Sequence, residues 1–221
     1  MVRSLVQDAP ALLAYAALGG PADSIRRLEA VVTSTIDATV LEEERVRIRQ
    51  PWLQRAARIA YPDVPFTGLQ RLGQEGDPLL EAQAALAAGH PDPARRYLEN
   101  LPALRTHSAP ENIALEALYP EARMFLLLGD PERAAVWLDP SLEVVRRTDP
   151  QVLAKLTNAA ALVRAAALRA DLAAQAGDGA AAARWARVVA ILWANADEFL
   201  QPTVRRMERL AGKSQPNPRR Q

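Results

Sequence analysis

The sequence predicts an all-α protein of stacked antiparallel helix hairpins, and three observations carry that expectation. The first is a recurring cassette opened by Gly19, Gly89, Gly129 and Gly177. Five residues on stand Ser24, Ala94, Ala134 and Ala182; eight on, Arg27, Tyr97, Trp137 and Trp185; nine on, Leu28, Leu98, Leu138 and Ala186. A fixed set of offsets recurring along one chain marks a repeat architecture. The second is composition: 44 of 221 residues are Ala and only 5% are aromatic. Ala is the best helix former and lets helices approach closely, whereas sheets draw on β-branched and aromatic runs. The third is punctuation, since Pro and Asp stand where helices begin and Gly where they end.

Each element follows from these signals. Helix 8–18 starts with Asp8 as N-cap and Pro10 in its first turn, and stops at Gly19-Gly20. Segment 22–35 is amphipathic, with Ile25, Leu28, Val31 and Val32 at helical offsets. Segment 39–50 places Glu42 with Arg45 and both Glu43 and Glu44 with Arg47 at spacings that pair on an exposed face. Pro51 is expected to break or kink this helix before 52–60 continues it. Residues 61–77, with three glycines and two prolines before Asp77, read as a long loop. Helices 78–88, 93–104, 110–128 and 131–147 follow, the last interrupted at Pro140. One long helix is expected over 150–176, then 180–196 and 199–211, with a basic, disordered tail at 212–221. The organisation is therefore an N-terminal hairpin and charged helix (1–60), a loop (61–77) and a helical array (78–211) ending in a cap. Leu200, Val204, Met207 and Leu210 form the stripe of that capping helix.

Each unit is a helix, a glycine turn and a second helix. The glycine takes the left-handed conformation that ends the first helix, and the Pro or Asp after it starts the second. Such a hairpin cannot bury both faces alone, so the units stack. At these residues the chain resembles the tetratricopeptide repeat. The segments ARMFLLLGDPERAAVWLDPSL (122–142) and ADLAAQAGDGAAAARWARVVAILW (170–193) carry the likeness. The family's small residue seven before the turn is matched by Ala82, Ala122 and Ala170, and its large residue four before by Tyr15 and Phe125. The chain departs from the family in its spacings of 70, 40 and 48, and in the polar Glu81, Glu121 and Arg169 eight before the turn. The resemblance implies a right-handed, TPR-like α-solenoid. The stretch 186–212 also looks like the repeat arrays that end bacterial signalling chains.

Charge and composition narrow the function. The net charge of +1 argues against nucleic acid as a partner, although residues 202–221 alone carry +5. No stretch reaches the roughly 18 uninterrupted apolar residues of a membrane span. Gln7, Asp8 and Pro10 interrupt any leader-like apolar run, so a cytoplasmic chain is expected. Without cysteine there is no disulfide, thiolate chemistry or Cys-type zinc site. Two histidines, His90 and His107, lack partners at ligand spacing, and Ser108 beside His107 is no triad. No phosphate loop appears, and no acid is expected to be buried, so no general acid is indicated. Neither an enzyme, nor a cofactor, nor a metal is expected.

The expectation is a non-catalytic interaction scaffold holding a protein or peptide in a concave groove. First helices of repeat hairpins line such grooves, which places Glu116, Tyr119, Arg123, Arg164 and Asp171 there, with Gln83 further along. Arg123 and Arg164 are the expected charge-assisted donors and Tyr119 the anchor, and reversing both arginine charges is expected to leave the fold intact. The family's Lys and Asn clamp for chaperone C-termini is absent. The alternative is a regulatory or sensory module that binds a small ligand within a bacterial signalling system. A homo-oligomer through an exposed end unit is the other partner considered.

Overall fold

The computed structural model describes residues 5–63, 77–105, 115–144 and 150–212. The described residues are helical with no strand: α1 (Leu5–Leu18), α2 (Ala22–Thr39), α3 (Glu42–Ala60), α4 (Pro78–Ala87), α5 (Pro91–Arg105), α6 (Leu115–Leu127), α7 (Pro131–Val144), α8 (Pro150–Ala154), α9 (Leu156–Gln175), α10 (Gly179–Leu192) and α11 (Gln201–Gly212), with a 3-10 turn at Glu198–Leu200. His107, Ser108, the interior of the 61–77 loop and the basic tail beyond 212 lie outside the described residues.

All four cassette glycines have positive φ, from 69° to 82°. Each turn closes with the same two backbone bonds. The glycine N–H reaches three residues back, to Ala16, Leu86, Leu126 or Ala174. The next N–H reaches five back, to Tyr15, Ala85, Phe125 or Ala173. This is the Schellman motif, which satisfies helix-end carbonyls by a left-handed residue that Gly adopts without a Cβ penalty. Asp130 and Asp178 then cap the following helices by accepting from the N–H of Arg133 and Ala181. A Cβ on Gly177 would meet open space, so its conformation alone sets the cost of a substitution there. Gly177→Ala is expected to lose about 1 kcal/mol. A urea midpoint unchanged from wild type would contradict this.

The small residue five after each glycine lands in the core at Ala94, Ala134 and Ala182. The first hairpin differs: its turn is one residue longer, α2 starting three residues past its glycine where α5, α7 and α10 start two past theirs. Ile25, not Ser24, therefore occupies the buried slot, with Val32 and Ile36 below it.

At neither proline expected to break or kink its helix does the helix break. α3 runs through Pro51 and α7 through Pro140. An interior proline costs about 3 kcal/mol. Burial on the far side of each offsets that: Leu53, Ala56, Ala57, Ile59 and Ala60 in α3, Leu142 in α7, at roughly 1.5–3 kcal/mol for each large side chain. The long helix expected over 150–176 is instead divided at Lys155 into α8 and α9. There the Asn158 amide donates to the Val152 carbonyl, satisfying an acceptor that the break leaves open. Of the expected surface pairs on α3, Arg47–Glu44 forms, while Arg45 donates to the Val40 carbonyl.

Hairpins α1/α2, α4/α5, α6/α7 and α9/α10 pack internally, and α11 covers α10 and α9. Leu200, Val204 and Met207 are buried in that contact. The apolar interior falls into two groups, one joining α1, α2 and α3 with Leu80 of α4 and Ala160 of α9, the other running from α4 to α11. The contacts are not confined to chain neighbours. α1 packs on α3, α3 on α6, α6 on α9, and α9 back on α1. An array in which each unit touches only the next lacks such a return contact. It brings the end of the first hairpin against the middle of the last, and the candidate site lies at that junction.

Candidate functional site

Tyr119 and Arg123 stand one turn apart on α6, and Arg164, Leu168 and Asp171 follow one face of α9. The C-terminus of α1 enters from one side and α11 from the other. Between them is a cavity of about 300 Å³, whose lining includes Gly19, Asp63, Tyr119, Arg123, Arg164, Asp171, Trp193, Phe199, Thr203 and Arg206. A second cavity of about 510 Å³ adjoins it and shares Arg123, Leu168, Asp171 and Arg206 before continuing to Gln175 and Leu210. The two form one groove floored by α9, with α6 and α11 as walls.

Arg164 is the centre of the end nearest α1. It is 7% exposed. Its guanidinium donates to the Ala16 and Ala17 carbonyls at 3.2 and 3.3 Å, which places a cation at the negative end of α1. It also pairs with the Asp63 carboxylate just past α3 and lies 3.7 Å over the Tyr119 ring. The Tyr119 hydroxyl donates to the same Asp63 oxygen at 2.9 Å. Burial raises the Tyr119 pKa, and the neighbouring Arg164 works against that rise. A Cβ on Gly19 would stand 3.1 Å from the Arg164 guanidinium carbon, so this glycine also makes room for the side chain. Tyr15 of α1 stacks on Phe199 ahead of α11 at 5.8 Å, closing the same junction.

The other charges are less enclosed. Arg206 of α11 donates to Asp171. Burial raises the Asp171 pKa, opposed by that arginine. Arg123 lies 3.8 Å from Asp63, beyond hydrogen-bond reach, and among the described residues its buried Nε has no hydrogen-bond partner.

Four of the six expected groove residues, Tyr119, Arg123, Arg164 and Asp171, thus meet at one groove. The other two do not. Gln83 is fully buried and donates to the Arg58 carbonyl. Glu116 is clamped between α3 and α6, accepting from Arg55 at 2.6–3.2 Å and from Arg58 at 3.3 Å. Both are occupied in holding α3 against its neighbours. Arg164 also differs from its expected role: its donors are spent on α1 and Asp63, so reversing its charge would attack the fold. Asp63, Arg206, Phe199 and Trp193 were not legible as site residues, because nothing local to their segments marks a partner a hundred residues away.

A buried acid, contrary to expectation, is present elsewhere. Glu121 is 2% exposed and accepts from the Tyr97 hydroxyl at 3.2 Å and the Trp137 indole N–H at 3.0 Å. These two rings hold the same cassette position in successive hairpins, and the polar residue eight before the turn is what joins them. Arg169, at the equivalent position in the last hairpin, pairs with Asp139 at 2.6 Å. Two of the three polar departures from the repeat pattern, Glu121 and Arg169, are therefore ties between neighbouring hairpins, while Glu81 is exposed. Among the described residues, no cluster of three or more His, Asp or Glu is placed to hold a metal, and no helix is long and apolar enough to cross a membrane. Comparison with family models, with curated proteins and with solved structures found no match for this chain.

Proposed function

We propose that the chain is a non-catalytic, tetratricopeptide-like interaction module that takes a peptide or a short helix in the groove between α6 and α11. The four glycine turns, each closed by the same two backbone bonds, and the polar ties made by Glu121 and Arg169 support the repeat reading. The observation that carries the functional one is the joining of the two cavities along a single helix face. From Arg164 to Gln175 the floor is about 16 Å long, at roughly 1.5 Å per residue. That suits about five extended residues, at about 3.3 Å each, or three turns of helix. The groove combines both signs of charge with Leu168 and Leu172 on its floor and Leu210 on its wall, and a rigid floor lowers the ordering cost of binding.

The test is selection from a displayed random-peptide library, followed by direct binding measurements. Thr203 lines the groove on α11, and Thr203→Trp fills it. Selected peptides are expected to bind the wild type and to lose at least tenfold in affinity for Thr203→Trp. Equal binding to both proteins would remove the groove from the reading. The rival regulatory reading draws on one observation, the cavity of about 300 Å³ beside Arg164, which is the lower size of small-molecule sites.

A further inference from the structure

We infer that the end of the groove beside Arg164 is an anion pocket in which Arg123 receives a carboxylate of the ligand. The inference deepens the groove reading and rests on it. Three guanidinium groups, from Arg123, Arg164 and Arg206, face this cavity, against two carboxylates, Asp63 and Asp171. Arg206 is paired with Asp171, and Arg164 with Asp63, two backbone carbonyls and the Tyr119 ring. The surplus positive charge is Arg123. Among the described residues its buried Nε has no hydrogen-bond partner, and its nearest carboxylate is 3.8 Å away.

A guanidinium carries five donors in a planar fork that matches a carboxylate, and a buried donor left unmade is costly. The side chain is 30% exposed and opens onto the cavity, so an incoming group reaches it without unfolding anything. A single carboxylate balances the excess of one charge, and the low local dielectric strengthens that pairing. Beyond the polar cluster the wall is apolar, formed by Leu168, Trp193 and Phe199. The ligand chemistry that fits is a carboxylate with an apolar group beside it. Two sources supply it: an Asp or Glu side chain within a bound peptide, and a free small carboxylic acid.

The experiment separates them. Peptides blocked at both ends are selected from the library, so that side chains supply the only carboxylates. 3-Phenylpropionate and its neutral amide are titrated in parallel against wild type and Arg123→Gln. The expected result is an Asp or Glu enriched next to an apolar residue, with affinity falling at least tenfold in Arg123→Gln and less in Arg123→Lys. 3-Phenylpropionate should also shift wild-type resonances around Trp193 while its amide does not. Peptides that bind without any acidic preference, and equally well to Arg123→Gln, would overturn the anion pocket and leave the groove standing. Binding of 3-phenylpropionate, abolished by Arg123→Gln, with no peptide selected would keep the pocket and overturn the peptide reading. Binding of neither would overturn both. Matching thermal midpoints for Arg123→Gln and wild type keep the comparison one of binding alone.

Discussion

Arg164→Ala is expected to lower the free energy of unfolding by about 3 kcal/mol, the low end of what is lost when one partner of a buried ion pair is removed. The low end applies because Asp63 is 36% exposed and recovers part of its solvation in the variant. What does not recover is the end of α1. The Ala16 and Ala17 carbonyls lose their donor, the cation at the helix C-terminus disappears, and the Tyr119 ring loses the group stacked on it. α1, α6, α9 and the turn after α3 are all held by this one side chain, so the loss is felt at every contact of the junction. Equilibrium urea unfolding followed by circular dichroism measures it. A loss under 1 kcal/mol would mean that the junction stands on its apolar contacts alone. Arg164→Lys keeps a charge but not the fork that serves two carbonyls and a carboxylate together, so it should recover only part of the stability. The contrast with Arg123 is the informative one. The two arginines look alike in sequence, yet one is expected to move stability and the other binding.

Glu121→Leu should cost a similar amount, about 3 kcal/mol, through a different route. Leucine fills comparable space but accepts nothing, so the half-buried Tyr97 and Trp137 lose, for hydroxyl and indole N–H, the acceptor that Glu121 supplies from the core. Each buried donor left unmade costs about 1–3 kcal/mol. Glu121→Gln keeps a carbonyl acceptor and should fall between leucine and wild type. A double-mutant cycle with Tyr97→Phe isolates the tie to the preceding hairpin. A coupling indistinguishable from zero would show that Tyr97 is held by packing only.

These two residues also mark where sequence reading reaches and where it stops. Turns are local: Gly129 needs only its own φ and the carbonyls three and five residues behind it, so the hairpins, their caps and their buried alanines could be read directly. The capping stripe on α11 was legible for the same reason, being set by helical spacing alone. At Pro51 and Pro140 the sequence left a break and a kink both open, and no break occurs because the opposing term, burial of side chains such as Leu53 and Leu142, comes from other helices. The extra residue in the first turn shifted the buried slot from Ser24 to Ile25, a change of one position that a matched small residue concealed.

The site needed more still. Spacing placed Arg123 and Arg164 on inward helix faces, and the groove they share with Tyr119 and Asp171 follows from that. Which of the two arginines is occupied depends on Asp63 and on the last turn of α1, which lies about 150 residues before the last hairpin's contribution. Gln83 and Glu116 satisfied the same helical pattern and were drawn into the α3 interface instead. By itself the sequence determined the helices, their turns and the faces they bury, because hydrogen bonding and periodicity act over a few residues. The tertiary structure decided the return of α9 onto α1 and, with it, which charges are paired and which is left over, because an ion pair depends on distances that only packing sets.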